Sequence, residues 1–442
     1  MTSGPFGSAL YADLWGDAEV GKLFTDSAEL RAMLVVEGAL AEVQAALGLI
    51  PSEAAKAIKT AAFEVTLDPA ALAAGTGKSA VPVPAMVEAF RKAMGNDTAS
   101  AWAHYGATSQ DIADTGLALR LRQVLTIYES RLKAAIVSCA DLAEAHADLP
   151  MAARTYGQAA TPTSFGAIAA AWGRPMLALL DELPQIRTAV TRVSLGGAAG
   201  TLSAMGDKGP AVRAALAKAL DLADPQASWH ADRSGITGLG AWITRCAAAL
   251  GKIGEDCLLL THSTAGELRL GATGGSSTMP QKTNPVEPSQ IVALARFVQA
   301  QNVALQGAGL HREQRDGAAW MTEWLTLPGL VLGGARAIGL AGPMIAGLTP
   351  VADRMLANLD DGSGLIFAEA LSFRLAQSMP RPDAQAAVKA LATQARDTGR
   401  SLADLASAAH PGIAQEDIFD ANAQLGTAPA EARAFANVVR AL

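Results

Sequence analysis

A chain of 442 residues is long enough to bury a large core, and its length predicts two or three domains. Half of its residues are apolar and only 5% are aromatic, which is typical of helices packed on helices. The formal net charge of −7 argues against a nucleic-acid partner, so the positive site that an anionic substrate needs must be local.

The first part of the chain, residues 1–104, predicts short helices. Helical patterns cover residues 27–47 and 52–62 and are interrupted by glycine and proline. Residues 1–15 have neither the basic nor the apolar segment of a secretory signal, so we expect a cytoplasmic protein.

A much longer helix is predicted over residues 109–149. Its apolar residues recur in alternating steps of three and four: Leu117, Leu121, Val124, Tyr128, Leu132, Ala135, Cys139 and Leu142. About 40 residues at roughly 1.5 Å per residue give a helix of about 60 Å, which needs partners along its whole length. Similar patterns at 163–195, 240–268, 285–310 and 318–348 complete a predicted bundle.

The coarse prediction is an all-α protein with three domains. A small helical domain (1–104) precedes a central long-helix bundle (105–345), and a second small helical domain (346–442) follows it. Residues 327–348 are almost entirely apolar, yet they contain Arg336, Pro328 and Pro343, and the sequence has no second stretch of this kind. A buried bundle helix is therefore favoured over a membrane span, and we expect no membrane association.

The three cysteines, Cys139, Cys246 and Cys257, form no CxxC pair and have no histidine at ligand spacing. Buried thiols in a reducing compartment are the expected state of such residues. We therefore predict neither disulfides nor a metal site.

Three polar, glycine-rich segments interrupt the apolar pattern near the ends of predicted long helices. They are 104–115 (HYGATSQDIADT), 155–166 (TYGQAATPTSFG) and 271–288 (GATGGSSTMPQKTNPVEP). The first also has a structural interpretation, with Thr108 or Ser109 capping a helix, and the second could be a plain connector. Bundle ends are nevertheless places where distant segments can meet around one pocket.

The third segment favours a functional loop. A long irregular stretch inside a compact helical protein is usually a lid or a binding loop. It carries hydroxyls at Ser276 and Ser277, an ammonium at Lys282 and an amide at Asn284, which is also a natural N-cap for a helix opening at Pro285. Helix N-termini suit carboxylates.

This set of groups suits proton transfer beside a carboxylate. Such a reaction passes through a doubly charged aci-carboxylate, which preorganised donors must bind while a base acts on carbon. Serine can be that base where N–H donors, a lysine and a closed dry site stabilise its oxyanion.

These segments resemble a known family. GSSTMPQKTNP resembles the signature loop GSSxMPxKxNP of the fumarase/aspartase superfamily, and the other two segments resemble its remaining conserved segments in the same order and spacing. The resemblance covers nearly the whole chain. It implies the three-domain, all-α fold of that superfamily and a homotetramer with a core of twenty long helices. Each active site would then be shared among three subunits.

Within the superfamily, the resemblance is to the bacterial 3-carboxy-cis,cis-muconate cycloisomerases. It extends through LGGAAGTLSAMGDKGPAV, SWHADRSGITGLGAW and AAWMTEWLTLPGL. It implies a cofactor-free cycloisomerase of aromatic-compound degradation, with a small polycarboxylate as substrate. A substrate carboxylate would add to an alkene with serine-assisted proton transfer, giving a carboxymuconolactone.

The resemblance also implies roles for individual residues. Ser276 becomes the catalytic base, and Lys282 a catalytic group that binds carboxylate. The implied substrate-binding positions are His104, Thr108, Ser109, Thr155, Gln158, Ser277, Met279, Asn284 and Arg315.

Departures from the family pattern keep alternatives open. Several relatives have a histidine where this chain has Tyr156 or Ala159, so the Tyr156 hydroxyl is the candidate second acid. The usual His-Lys-Arg of the loop reads Gln281-Lys282-Thr283, which favours a substrate with less negative charge. The alternative is a fumarate-releasing C–N lyase of the adenylosuccinate or argininosuccinate lyase type, or a lyase acting on another substituted succinate. A structural protein without activity is disfavoured, because Ser276, Lys282 and Asn284 are intact.

Overall fold

The computed structural model describes residues 4–275, 278–280, 282–413 and 416–442, and most of these are helical. They form two compact units, each assembled from three separate segments. Unit 1 comprises Met1–Arg131, Leu179–Ala248 and Leu294–Gly339; unit 2 comprises Leu132–Ala178, Ala249–Ala293 and Leu340–Leu442. The three-domain division at residues 104 and 345 stays a prediction.

The first hundred residues form short and medium helices, as the sequence predicts. They are α1 (Ala12–Trp15), α2 (Ala18–Gly21), α3 (Asp26–Ala46), α4 (Ser52–Glu64), α5 (Pro69–Ser79), α6 (Val83–Met94) and α7 (Asp97–Ser100), with 3-10 turns at Pro5–Gly7 and Lys22–Phe24. The Thr25 hydroxyl accepts a hydrogen bond from the Ala28 N–H, which caps α3. The apolar faces of α3, α4 and α6 share one buried cluster, which includes Val36, Leu40, Ile58, Met86 and Phe90.

The long helices predicted for the middle of the chain are present. They are α8 (Ser109–Ala145), α9 (Phe165–Val190), α11 (Ser234–Leu260), α12 (Val286–Gly307) and α13 (Gly317–Ala346), with the shorter α10 (Gly209–Leu220) and a 3-10 helix at Ser203–Lys208 between α9 and α11. The predicted stripe of α8 is buried from Leu121 to Leu142. All three cysteines are also buried and unpaired, as expected.

Helix α13 contains the apolar stretch that raised the question of a membrane span. Among the described residues it is the one helix long and apolar enough to cross a bilayer, and 61% of its most apolar window is buried within the fold. That burial supports the interpretation of this stretch as a core helix.

Short strands depart from the purely helical prediction. They are β1 (Pro150–Thr155), β2 (Gln158–Ser164), β3 (Leu268–Arg269), β4 (Gly274–Gly275), β5 (Thr283–Asn284) and β6 (Thr349–Pro350). The antiparallel pairs are β1 with β2, β3 with β6, and β4 with β5. The predicted helix from residue 163 begins instead at Phe165, because residues up to Ser164 belong to β2 and the Ser164 hydroxyl caps α9 by accepting from the Ala167 N–H. The fold is therefore mostly, and not purely, helical.

The last hundred residues return to short helices, as predicted. These are α14 (Ala352–Leu359), α15 (Ala368–Leu375), α16 (Arg381–Thr398), α17 (Leu402–Ala409) and α18 (Ala428–Arg440), with a 3-10 turn at Leu365–Phe367. Helices α15, α16 and α17 bury a cluster of their own that includes Leu371, Leu375, Val388 and Leu402.

Candidate functional site

The start of α8 in unit 1 positions the first polar segment. Thr108 directly precedes the helix, and its N–H donates to Asp111 Oδ2 at 3.0 Å while the Asp111 N–H donates to the Thr108 carbonyl at 3.0 Å. The Asp111 side chain thus supplies one half of a capping box, while the second bond joins backbone atoms only. Thr108 directly precedes α8, but its hydroxyl, the group predicted to cap the helix, bonds to a partner outside the helix.

That partner is Arg315. Its Nη1 donates to Thr108 Oγ1 at 2.7 Å, and its Nη2 donates to the Ala198 carbonyl at 2.8 Å. Two predicted site residues more than 200 positions apart in sequence are thus in direct contact, on an exposed edge of unit 1. A guanidinium beside a hydroxyl is a suitable pair of donors for a carboxylate.

Asp111 holds the neighbouring backbone in place. Its fully buried carboxylate accepts hydrogen bonds from the Gly196 N–H at 2.8 Å, the Gly197 N–H at 2.9 Å and His230 Nε2 at 2.7 Å. Because Gly197 directly precedes Ala198, one carboxylate fixes both the Thr108 cap and the carbonyl that orients Arg315. His230 is part of this support.

A second buried network lies one turn further along α8. Arg233 donates to Asp114 at 2.7 Å and to both Glu323 oxygens at 2.9 and 2.6 Å. Burial alone would lower the pKa of Arg233, but the two carboxylates outweigh it and raise that pKa. The Trp229 ring lies 4.9 Å from the guanidinium. These contacts join the start of α11 to α8 and α13.

His104 forms an ion pair with an acid that the sequence did not single out. Its Nδ1 lies 2.6 Å from Glu37 Oε1, and Glu37 is only 1% exposed on the inner face of α3. Burial alone would lower the pKa of His104, but the charges of Glu37 and Asp111 outweigh it and raise the pKa above its ordinary value, with Arg91 acting in the opposite direction.

His104 and Ser109 line one cavity of about 370 Å³ in unit 1. The other lining residues come from α6: Pro84, Val87, Glu88 and Arg91. Arg91 Nη2 also donates to the Ala103 carbonyl at 2.7 Å, next to His104. The cavity therefore combines the Arg91 guanidinium, the His104 ring and the Ser109 hydroxyl with the Glu88 carboxylate and an apolar wall.

In unit 2, the second polar segment forms the β1–β2 hairpin. Thr155 and Gln158 are paired across it, and Tyr156 and Gly157 form a two-residue turn with φ of 52° and 75°. The Tyr156 side chain is fully exposed. Arg154 anchors the strand through bonds of 2.8 and 2.6 Å to the buried carboxylate of Glu267. The hairpin thus presents Thr155, Tyr156 and Gln158 on a fixed support.

The signature loop of unit 2 is closed by the β4–β5 pairing. Gly274 pairs with Asn284 and Gly275 with Thr283, and the Lys282 N–H donates to the Met279 carbonyl at 3.0 Å. A Cβ on Gly274 would lie 2.6 Å from Val286 Cγ2, so a larger residue there would require the Val286 side chain to move. Met279 and Lys282 are exposed.

Ser276 and Ser277, with Gln281, lie outside the described residues. The predicted N-cap role of Asn284 is wrong: α12 begins at Val286, and Asn284 pairs with Gly274 in the strand ladder instead.

The predicted site residues therefore form two sets, each described within its own unit. His104, Thr108, Ser109 and Arg315 belong to unit 1; Thr155, Tyr156, Gln158, Met279, Lys282 and Asn284 belong to unit 2. The sequence analysis missed Glu37, Asp111 and Glu267, which hold these residues in place. A signal existed for Glu37, since it is an acid within the apolar pattern of α3 between Met33 and Leu40.

Comparisons with known proteins complete this description. A family profile described as lyase matches residues 17–300. The chain is 37% identical to the 3-carboxy-cis,cis-muconate cycloisomerase of Pseudomonas aeruginosa, over 87% of this chain and 85% of that protein. It is 35% identical to the nitrosuccinate lyase of Streptomyces davaonensis, over 96% and 93% of the two chains. The solved structure of 3-carboxy-cis,cis-muconate lactonizing enzyme from Pseudomonas putida superposes with a TM-score of 0.92 at 31% identity, covering 98% and 99% of the chains.

Proposed function

The chain belongs to the lyase family of the fumarase/aspartase superfamily, and on that premise we propose that it is a cycloisomerase acting on 3-carboxy-cis,cis-muconate. The observation that carries the proposal is the GSSTMPQKTNP loop closed by β4 and β5 in a chain similar to such cycloisomerases over most of its length. The enzyme is proposed to work in the cytoplasm without a cofactor.

The proposed reaction is an intramolecular addition. One substrate carboxylate oxygen attacks an alkene carbon, and the alkene electron pair moves to the carbon beside another carboxylate, giving an aci-carboxylate. That carbon then accepts a proton from the Ser276 hydroxyl, and in the reverse direction the Ser276 oxyanion removes it. The ionised substrate takes up one proton in forming the lactone, and the Ser276 oxyanion regains its proton from solvent, so that atoms and charge balance over the cycle.

The loop stabilises the charge that develops. Lys282, with the Asn284 amide and the first N–H groups of α12, binds the carboxylate that becomes the aci-carboxylate. Ser277 and Met279 contact the substrate from the same loop, and Thr155 and Gln158 do so from the β1–β2 hairpin. Tyr156 is the proposed second acid, since its hydroxyl replaces the histidine of relatives.

The residues of unit 1 bind the rest of the substrate. Arg315 and the Thr108 hydroxyl, which are 2.7 Å apart, form one pair of donors, and Ser109 at the start of α8 adds another. The Asp111 carboxylate limits the movement of this pair, which favours a preorganised binding site.

A homotetramer is part of the proposal. The long helices of the single chain expose large apolar side chains, including Val303 on α12 at 76% and Leu325 on α13 at 82%. Apolar groups at such exposure on core helices favour burial against further copies of the chain. Four sets of the five long helices would form the twenty-helix core, and three subunits would contribute to each active site.

The first test is Ser276→Ala with 3-carboxy-cis,cis-muconate in an absorbance assay. Loss of the proton donor should lower kcat by roughly 10²–10⁴-fold, with the tetramer intact by size-exclusion chromatography with light scattering. Ser138→Ala on α8 is the matched control, because within the described part of the chain that hydroxyl bonds to the Ala134 and Gly342 carbonyls, and it should leave kcat unchanged. Near-normal turnover by Ser276→Ala would remove the proposed role of Ser276.

One observation favours a second candidate, a lyase acting on a substituted succinate. Gln281 and Thr283 supply fewer positive groups than the cycloisomerase pattern, and the chain is similar to a nitrosuccinate lyase over 96% of its length. Elimination from such a substrate would use the same aci-carboxylate and release fumarate. Fumarate formed from nitrosuccinate, adenylosuccinate, argininosuccinate or aspartate, with no change in 3-carboxy-cis,cis-muconate, would transfer the assignment to this reaction.

A further inference from the structure

The cavity between α6 and the start of α8 is lined by two charged residues, Arg91 and Glu88, to which the proposed mechanism gives no role. Arg91 and His104 face it from two elements, Ser109 adds a hydroxyl, and Pro84 and Val87 form an apolar wall. No partner is recorded for His104 Nε2 among the residues that the structure describes, while Nδ1 is held by Glu37. Three side chains that can donate hydrogen bonds, together with the Glu88 carboxylate, therefore line a space of about 370 Å³.

We propose that this cavity binds one carboxylate of the polycarboxylate substrate between Arg91, His104 Nε2 and Ser109, and that Glu37 is the positioning residue that keeps His104 a donor on that side. The inference rests on the proposed function, because it assigns a place to one carboxylate of the proposed substrate. It adds Arg91 and Glu37 to the residues that determine specificity.

The role of Glu37 follows from the two ring nitrogens of His104. A carboxylate at 2.6 Å from Nδ1 requires a proton on that nitrogen. A neutral ring would then present Nε2 as an acceptor, which repels a carboxylate, whereas the protonated ring presents an N–H donor. Glu37 therefore favours anion binding at Nε2 only as long as it keeps the ring protonated.

The charges facing His104 come from three helices. Glu37 on α3 and Asp111 on α8 raise its pKa, while burial and Arg91 on α6 act against them, and the net shift is upward. Since the pKa of His104 lies above its ordinary value, the ring keeps its proton to a higher pH than an ordinary histidine does and loses it as the pH rises through that pKa. Without Glu37, burial and Arg91 would dominate and lower the pKa.

Glu88 provides an internal check on the sign of the ligand charge. It lines the same cavity from α6, is exposed, and repels an anion held by Arg91 and His104. If the ligand is a carboxylate, Glu88→Gln should strengthen binding, whereas Arg91→Gln should weaken it. Opposite effects of two neutralising substitutions on one helix are not expected from a purely structural cavity.

The test uses tricarballylate, an unreactive tricarboxylate, with the intact enzyme and isothermal titration calorimetry. At pH 7, Glu37→Gln and Arg91→Gln should each weaken the Kd about tenfold or more, as expected for loss of one charge-assisted hydrogen bond. Glu42→Gln is the matched control, because Glu42 lies on the same helix but pairs with the exposed Lys59. It should bind like the wild type.

The pH profile separates a positioning role from a structural one. The wild type should lose its affinity as the pH rises, Glu37→Gln should lose it at a lower pH than the wild type does, and His104→Gln should show no such step. Unchanged melting temperatures would exclude misfolding, and Glu88→Gln gives an independent result if Glu37→Gln unfolds. Equal affinities and pH profiles in all variants, or no binding to the wild type, would overturn the inference.

Turnover distinguishes this inference from the proposed function. Arg91→Gln should raise the KM for 3-carboxy-cis,cis-muconate about tenfold with a much smaller change in kcat, because the group binds a carboxylate remote from the reacting carbon. An enzyme inactive on that substrate, with Arg91-dependent and pH-dependent tricarballylate binding, would reject the cycloisomerase and retain the subsite. Normal turnover with an unchanged KM in Arg91→Gln would retain the cycloisomerase and reject the carboxylate subsite.

Discussion

Arg233 lies fully buried between two carboxylates, Asp114 and Glu323, and every distance in this group is within hydrogen-bond range. Such a group is costly to disrupt, because removing one charge leaves the others buried and uncompensated. Its position, one helical turn beyond the Asp111 support, links the stability of the bundle to the site at Thr108 and Arg315.

Glu323→Gln should therefore destabilise the protein by about 3–5 kcal/mol, the usual cost of breaking a buried ion pair from one side. Urea denaturation followed by circular dichroism at fixed protein concentration measures the effect. Glu182→Gln, which breaks an exposed pair with Arg245, is the control and should cost about 1 kcal/mol or less. Equal shifts in the two variants would mean that the buried group contributes no more than a surface pair.

The β1–β2 hairpin is the element in which backbone conformation can be tested without changing contacts. Gly157 has a φ of 75°, and a Cβ there would have no atom within 4 Å. Gly77 in α5 also has open space for a Cβ, but in helical conformation. The same substitution should therefore have opposite effects at the two positions.

Gly157→Ala should cost about 1–2 kcal/mol, because alanine disfavours the left-handed conformation. Gly77→Ala should stabilise the protein by up to about 1 kcal/mol, through the higher helix propensity of alanine. The two variants are compared by thermal denaturation. Since Tyr156 is the other turn residue, Gly157→Ala should also lower turnover; a turnover unaffected by this change would argue against a role for the hairpin tip.

At the scale of elements, the sequence predicted the helices whose apolar spacing repeats over many residues. The stripe from Leu121 to Leu142 fixes α8 because each turn repeats the same apolar spacing. The strands β4 and β5 have two residues each, too few for any period to show. The β1–β2 hairpin is rich in alanine, threonine and proline and lacks a clear alternation of apolar and polar residues, so its strands were not predicted.

The same reasoning applies to the site. A motif of adjacent residues, such as GSSTMPQKTNP, can be recognised in the sequence alone. The bonds from Glu37 to His104 and from Glu267 to Arg154 join residues 67 and 113 positions apart, and no local pattern pairs them. Supporting residues of this kind become visible only when the fold brings their segments together.

At the scale of the whole molecule, the chain passes between the two units inside helices. The five crossings fall within α8, α9, α11, α12 and α13. A continuous helix has no linker composition at such a crossing, so the sequence carries no signal for these boundaries. A division of the chain predicted from loops and helix lengths therefore differs from its division into compact units.

The proposed sharing of active sites makes a prediction for mixed tetramers. Arg315→Met changes the set in unit 1 and Ser276→Ala changes the loop in unit 2, so each variant alone should be inactive. If one site takes these residues from different subunits, random mixing should restore about one quarter of the sites, because both contributing subunits must carry the intact residue. Co-expression with two affinity tags isolates the mixed tetramers for the absorbance assay.

The matched control is a mixture of Ser276→Ala with Lys282→Ala. Both substitutions lie on one loop, so every site contains one of them whichever subunits combine, and activity should stay absent. Recovery in the first mixture and not in the second requires sites built from several subunits. Purified mixed tetramers of Arg315→Met and Ser276→Ala without activity would instead place both residues of a site in the same chain, because then no combination of subunits could complete it.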